Sequence, residues 1–354
     1  MDYNLLLFTA LKRSITYAIF TICRPILMLS LSVIFFYFFE SNINAIIVGQ
    51  LFAISFLLVP SYICLLDQFK IGFSLKYLKI SLSYSYPLLP RSIIGQIYNS
   101  FDKVMLTNYS GFSGVGLYSL SNKYSEVMKL IMASFDKVWH PYFLDNATSG
   151  TNGNKQKIIN KFEELSFIII FIGLIIIFFG HEVINILVRD EFRKAAIYIP
   201  IYMYYYIFSI IGMMGYMQIT YAKKMKYLFF GAFGAIITNI LFNLILIPFY
   251  GVMGACIATV IAALVGAIFN AYNGQKVYKL PINFYKLIGL IALSIIFNIV
   301  PFITSITNLE FSISIIVLKV IIIFFFIITS IYLGFTSKKI MLSYVNWFIS
   351  YIKR

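Results

Sequence analysis

The sequence predicts an all-α protein, a polytopic membrane helical bundle with about ten transmembrane helices. Hydrophobic residues make up 61% of the 354 residues, and charged residues make up 12%. The mean hydropathy is +0.89. A soluble domain is about half apolar and about a quarter charged, so this composition indicates a chain that lies mostly in lipid. The spacing of the apolar segments and the placement of the basic residues predict the same class.

Ten segments are long and apolar enough to cross a bilayer, which takes about 20 mostly apolar residues. They are residues 14–39, 43–66, 84–107, 114–142, 164–181, 196–221, 226–248, 250–273, 284–304 and 312–335. Several of these segments run directly into short loops, which favours an antiparallel arrangement of neighbouring helices.

Basic residues occupy alternate loops between these segments. Those in one set of loops are Lys12, Arg13, Lys70, Lys76, Lys79, Lys155, Lys157, Lys161, Lys223, Lys224, Lys226, Lys276, Lys279, Lys286, Lys338, Lys339, Lys353 and Arg354. The other loops carry few, apart from residues 181–194. Because cytoplasmic loops are enriched in Lys and Arg, both termini are predicted to be cytoplasmic. The net charge of +15 thus reflects membrane topology, and no nucleic-acid partner is expected.

Two further features concern loops and thiols. Residues 145–164 are rich in Asn, Gly, Thr and Lys, which predicts a flexible cytoplasmic loop. Cys23, Cys64 and Cys256 lie in apolar segments without metal-ligand spacing, which predicts buried free thiols and no metal site. The loops on the opposite side are short, which disfavours an extracytoplasmic catalytic domain.

The hairpin from Pro87 to Pro141 carries ionisable residues inside apolar helices, with a predicted Gly/Ser/Asn loop at residues 108–114. Such residues cost about 2.5–3.5 kcal/mol each at the bilayer centre, so each needs a partner or a wet cavity. On the first helix, one face carries Arg91, Gly95, Tyr98, Asn99 and Asp102. Arg91 is either a contact for phosphate oxygens in a wet cavity or a snorkelling side chain near the helix end. Asp102 is predicted to pair with Lys123 on the second helix.

The second helix carries Lys123, Glu126 and Lys129 at three-residue spacing. These residues partly neutralise one another, but one Glu against two Lys leaves a surplus positive charge that favours an anionic substrate. Towards the cytoplasmic end, Trp139 and His140 are predicted to be an interfacial anchor.

Other polar positions lie elsewhere in the chain. Arg24 is central in segment 14–39 and is a candidate substrate contact, whereas Lys319 near the C-terminus is expected to snorkel. Asn239 and Asn243 share a helix face, and Thr259 follows on the next helix after a predicted turn between Pro248 and Gly254. The favoured role of these three side chains is structural, namely hydrogen bonding between helices.

Several motifs together resemble a known family. In order they are Pro90-Arg91, Phe101-Asp102-Lys103, residues 114–119 (GVGLYS), Lys123, Trp139-His140-Pro141 and residues 243–255 (NLILIPFYGVMGA). This pattern resembles the polysaccharide biosynthesis (O-antigen flippase) family of the multidrug/oligosaccharidyl-lipid/polysaccharide exporter superfamily. The resemblance covers nearly the whole chain.

The resemblance implies a two-bundle exporter fold with an incomplete first bundle. Family members have two six-helix bundles and an optional helix pair, so this chain resembles a member without about the first four helices. Residues 1–83 would be the remnant of the first bundle and a linker. Residues 84–274 would form the second bundle, and residues 275–354 an accessory helix pair and a cytoplasmic tail.

The function implied is flipping of a polyprenyl-diphosphate-linked oligosaccharide across the bacterial cytoplasmic (inner) membrane, for O-antigen or capsule synthesis, by alternating access. Arg24, Arg91, Lys123 and Lys129 would contact the diphosphate. The candidate cavity or ion-coupling residues are Asp102, Glu126, Asn239, Asn243 and Thr259, with Na⁺ or H⁺ as the coupling ion. Membrane lipid and other polysaccharide assembly proteins are the expected partners, with no catalytic residue and no further cofactor.

Three alternatives remain open at this point. The first is a drug or organic-cation exporter of the same superfamily. The second is a membrane glycan polymerase or acyltransferase, and the third is a non-functional fragment. A cationic interior disfavours the first. The short outer loops and the presence of only two histidines, His140 and His181, disfavour the second.

Overall fold

The computed structural model describes residues 2–11, 13–38, 43–68, 74–76, 78–79, 82, 89–148, 152–307 and 313–335. The described residues form helices joined by short connections and include no strand. The chain divides into two compact units, Met1–Leu88 and Leu89–Arg354. The predicted division at residues 83 and 274 into three domains stays a prediction.

The first unit contains helices α1 (Asp2–Ala10), α2 (Ser14–Phe38) and α3 (Ile43–Ile63), followed by a 3₁₀ turn. The Phe8 ring of α1 stacks on the Phe20 ring of α2, with centroids 5.6 Å apart. Gly49 allows α2 and α3 to approach closely, since a Cβ at this position would lie 2.7 Å from the Leu31 carbonyl oxygen. In a membrane the hydrophobic effect does not drive helices together, and small residues allow the close van der Waals packing that does.

The second unit contains the remaining helices. They are α4 (Leu89–Thr148), α5 (Asn152–Leu187), α6 (Ile199–Tyr202), α7 (Tyr204–Tyr221), α8 (Lys226–Val277), α9 (Phe284–Ile306) and α10 (Ile313–Tyr332), with a 3₁₀ helix at Asp190–Ile197. The buried core of this unit draws on all of them, and α6 contributes Tyr202. This core positions the candidate site described below.

Seven helices in the described residues are long and apolar enough to cross a membrane. One of them, α8, holds two predicted segments on either side of a kink at Gly251. Helix α4 is outside the seven, but it holds most of segments 84–107 and 114–142 on either side of Gly111. Counted as crossings, the helices agree with the prediction of about ten.

Two predicted turns are sharp kinks. The predicted loop at residues 108–114 is reduced to Gly111, with φ 64° and ψ −176°, inside α4. The predicted turn between Pro248 and Gly254 is reduced to Gly251, with φ 53° and ψ −126°, inside α8. Both glycines have positive φ, which residues with a Cβ rarely adopt. A single glycine at each tip is therefore enough to reverse the helix direction.

Three further expectations were wrong. Most of residues 145–164 are helical, since α4 ends at Thr148 and α5 begins at Asn152. Trp139 is fully buried against the rings of Phe143 and Phe162, so it is a core residue and not an interfacial anchor. Of the three cysteines, only Cys256 is buried; Cys23 is half-buried and Cys64 is exposed. Long apolar helices place much of their surface towards lipid, which is why burial within the chain is incomplete.

Helices α7 and α8 pack backbone to backbone around Gly215. A Cβ at Gly215 would lie 2.1 Å from the carbonyl oxygen of Asn270, far inside contact distance. Replacing Gly215 by valine should therefore force the two helices apart and lower the melting temperature of the detergent-purified protein, because overpacking costs about 1–3 kcal/mol or more. Gly234→Val is the matched control, since a Cβ there meets nothing within 4 Å. An unchanged melting temperature for Gly215→Val would contradict this packing.

Candidate functional site

Five polar side chains meet inside the second unit, and we call them the Asp102 cluster: Asp102, Tyr118, Asn239, Asn243 and Thr259. They come from both halves of α4 and both halves of α8. All five are buried, with exposed fractions of 0–7%. A buried carboxylate at membrane depth marks a functional site by default.

Asp102 accepts hydrogen bonds on both carboxylate oxygens. The Tyr118 hydroxyl donates to Oδ2 at 2.6 Å, and the Thr259 hydroxyl lies 3.4 Å from the same oxygen. The Asn243 amide donates to Oδ1. All three donors are neutral side chains, which keeps the carboxylate able to bind a cation or a proton.

The two asparagines and Thr259 form the second layer of the cluster. The Asn243 amide donates to Asn239 Oδ1 at 3.0 Å, and the Asn239 amide lies 3.4 Å from Thr259 Oγ1. The predicted hydrogen bonding between helices is thus present. The sequence did not indicate that Asp102 joins it.

The chemistry of the cluster is that of oxygen ligands. Asp102, Asn239, Asn243 and Thr259 supply side-chain oxygens, and Thr259 Oγ1 also lies 2.9 Å from the Ala255 carbonyl oxygen. Asn243 Oδ1 is buried and has no hydrogen-bond partner among the described residues. Because the two ends of an amide exchange by a flip, this oxygen can turn towards a cation beside Asp102. Hard cations prefer such ligands.

Sequence reasoning missed Tyr118. Its hydroxyl contacts both Asp102 and Thr259, the latter at 3.3 Å, and its ring packs edge-on against Tyr202 with centroids 5.8 Å apart. A signal was available, because Asp102 and Tyr118 lie nine and seven residues on either side of Gly111. A hairpin that turns at Gly111 places both at nearly the same depth.

The predicted pair between Asp102 and Lys123 is wrong. Lys123 instead bonds Glu126 at 2.9 Å, and its side chain is 74% exposed. Lys123 lies twelve residues after Gly111 and Asp102 nine before it. The mismatch of three residues is about 4.5 Å along the axis. The three residues Lys123, Glu126 and Lys129 share a face of α4 that is not buried, and we call it the cationic face.

Other predicted site residues lie elsewhere. Arg24 is half-buried on α2 in the first unit. Arg91 belongs to α4, but its side chain and those of Tyr98 and Asn99 lie outside the described residues. Glu126 belongs to the cationic face and not to the Asp102 cluster.

Lys319 does not snorkel. It is fully buried on α10, where its Nζ lies 2.5 Å from Glu182 Oε1 and 2.8 Å from the Phe178 carbonyl oxygen, both on α5. Sequence reasoning missed this ion pair, because nothing in the pattern of either helix relates positions 137 residues apart.

The number and the length of the apolar helices indicate a multi-pass membrane protein. The chain belongs to the polysaccharide biosynthesis protein family, whose family model matches residues 9–197, more than half of the sequence. This confirms the family predicted from the motifs. No curated protein matches the chain in sequence.

The structure is similar to that of the lipid II flippase MurJ in an inward closed conformation. The TM-score is 0.65 at 16% sequence identity, and the match covers 87% of this chain. The chain spans 66% of the length of that flippase. At this identity the likeness concerns the fold.

Proposed function

We propose that this protein translocates a polyprenyl-diphosphate-linked oligosaccharide across the bacterial inner membrane, with both termini in the cytoplasm. The oligosaccharide would serve a surface polysaccharide such as O-antigen or capsule, and other assembly proteins would act before and after it. The observation that carries the proposal is membership of the polysaccharide biosynthesis family in a chain whose fold is that of a flippase.

The charge of the described helices supports an anionic substrate. The cationic face has two lysines against one glutamate, and Lys129 has no ion pair among the described residues. Such a face attracts a diphosphate and repels an organic cation, which makes a drug exporter the weaker candidate. Arg24 and Arg91 are the other proposed diphosphate contacts, since a guanidinium matches phosphate oxygens with two parallel hydrogen bonds.

We further propose that the Asp102 cluster binds the coupling ion, Na⁺ or H⁺. The support is a buried carboxylate surrounded by neutral donors and oxygen acceptors from two helices. Helices that share one ion respond together to its arrival, which is how an ion gradient drives a conformational cycle. An experiment distinguishes the two ions, because translocation at constant pH requires sodium only if sodium is the coupling ion.

The substrate proposal predicts a loss of surface glycan. Replacing Arg24 and Arg91 by alanine, singly and together, should reduce export in cells that lack the native gene and carry the variants at equal membrane levels. Each removed cation leaves the diphosphate less well neutralised. Surface glycan is measured by lectin or antibody binding. Arg193→Ala is the control, because Arg193 is exposed and pairs with Asp190. Normal surface glycan in the double variant would remove these two arginines from the proposal.

A further inference from the structure

Helix α10 is joined to helix α5 by a buried charge pair. Lys319 is 0% exposed, and the side chain of Glu182 is 10% exposed. Lysine is almost never fully buried unless it is paired. Two of the three ammonium hydrogens are accounted for, by Glu182 Oε1 and by the Phe178 carbonyl oxygen. Both partners belong to α5, so Lys319 ties α10 to one helix.

The buried negative charge of Glu182 is compensated by Lys319. Its second oxygen, Oε2, is buried and has no hydrogen-bond partner among the described residues. Lys319 is the lysine or arginine that pairs with it in the described part of the chain. Removing either partner would leave an uncompensated charge inside the protein, which is far more costly than removing both.

The seam between α10 and α5 extends beyond the charges, and α5 in turn supports α4. Phe326 of α10 stacks on Phe167 of α5, with ring centroids 6.3 Å apart. On the other side, the Tyr124 hydroxyl of α4 donates to the Ile176 carbonyl oxygen of α5 at 3.0 Å. Tyr124 directly follows Lys123 of the cationic face. Helix α10 therefore contacts α5, and α5 in turn contacts α4, which carries the cationic face.

We infer that Glu182 and Lys319 form a charge lock that holds α10 against α5 throughout the transport cycle. Helix α10 is then part of the bundle that carries out transport, although the family pattern makes the helix pair to which it belongs optional. Lys319 and Glu182 are positioning residues that act through α5 on the cationic face. The transport part of this inference rests on the proposed function, whereas the coupling between the two side chains does not.

The lock is tested first by a double-mutant cycle on melting temperature. Lys319→Met and Glu182→Leu should each lower the apparent melting temperature of the purified protein by on the order of 10 °C, since each strands a buried charge. The double variant should lose much less than the sum. The exposed pair of Arg193 and Asp190 is the control, and Arg193→Met and Asp190→Leu should shift the temperature little. Additive losses at Lys319 and Glu182 would overturn the lock.

The same variants and a cross-link test the role in transport. Each single variant should lose translocation, and the apolar double variant should recover it. In a cysteine-free background, a short thiol cross-linker between Phe167→Cys and Phe326→Cys should leave translocation intact, because the inference is that these helices do not separate. Loss of translocation on cross-linking, or no recovery in a well-folded double variant, would overturn it. If the unmodified protein moves no lipid-linked glycan, the proposed function fails, and the thermal cycle still decides the lock.

Discussion

Replacing Asp102 by asparagine should remove the dependence of translocation on the coupling ion while leaving the protein folded and inserted. Asparagine keeps the size of the side chain and can still bond Tyr118 and Thr259, so packing of the cluster is preserved. The substitution removes the negative charge that a cation or a proton would neutralise. Coupling between an ion and a second ligand is typically about 5- to 150-fold, and we expect a loss of transport in this range.

The measurement is translocation of a lipid-linked glycan in proteoliposomes, with and without sodium and at several pH values. Dependence on the ion should vanish in Asp102→Asn. Asp136→Asn is the matched control, because Asp136 lies on the same helix α4 and is exposed. If the Asp102→Asn protein responds to the ion as the unmodified protein does, the coupling site lies elsewhere.

The second large effect concerns the cationic face. Lys129→Gln should reduce translocation more than Lys123→Gln, although both remove one positive charge from the same face. The charge of Lys123 is already offset by Glu126 at 2.9 Å, whereas Lys129 has no ion pair among the described residues. Lys129 therefore offers the uncompensated charge that a diphosphate would seek.

Glu126→Gln tests the same reasoning in the opposite direction. It frees Lys123 and should partly restore transport to the Lys129→Gln variant. Transport is measured at several ionic strengths, because exposed charges about 10 Å apart are screened at 0.1 M salt. Lys137→Gln is the control, since Lys137 is exposed on the same helix about two turns beyond Lys129. Equal losses for Lys123→Gln and Lys137→Gln with none for Lys129→Gln would contradict a role for this face.

The sequence was enough to predict the helices and their family, because lipid imposes a length and composition that each crossing must meet. Turns were less predictable. The stretch at residues 108–114 contains three turn-forming residue types, yet the structure uses Gly111 alone. Composition identifies where a chain can turn. Packing between the two halves of the hairpin determines how many residues the turn contains.

The site was predictable in part. Four-residue spacing placed Asn239 and Asn243 on one face, and the structure joins them to Thr259. Periodicity defines the face of a helix but not which helix lies against it, so the partner of Asp102 was wrong. The pairing of Glu182 with Lys319 depends on how α10 packs against α5, and no local pattern carries that information.

The hydrogen-bond partners of Asp102 are synthesised at different times. Asn243 follows it by 141 residues and Thr259 by 157, whereas Tyr118 follows by 16. At about 5–20 residues per second, a ribosome delivers Asn243 roughly 7–28 s after Asp102. During that interval, Tyr118 is the member of the cluster already synthesised. Until Asn243 and Thr259 are synthesised, the nascent chain therefore offers Asp102 the Tyr118 hydroxyl and neither of the other two hydrogen-bond donors.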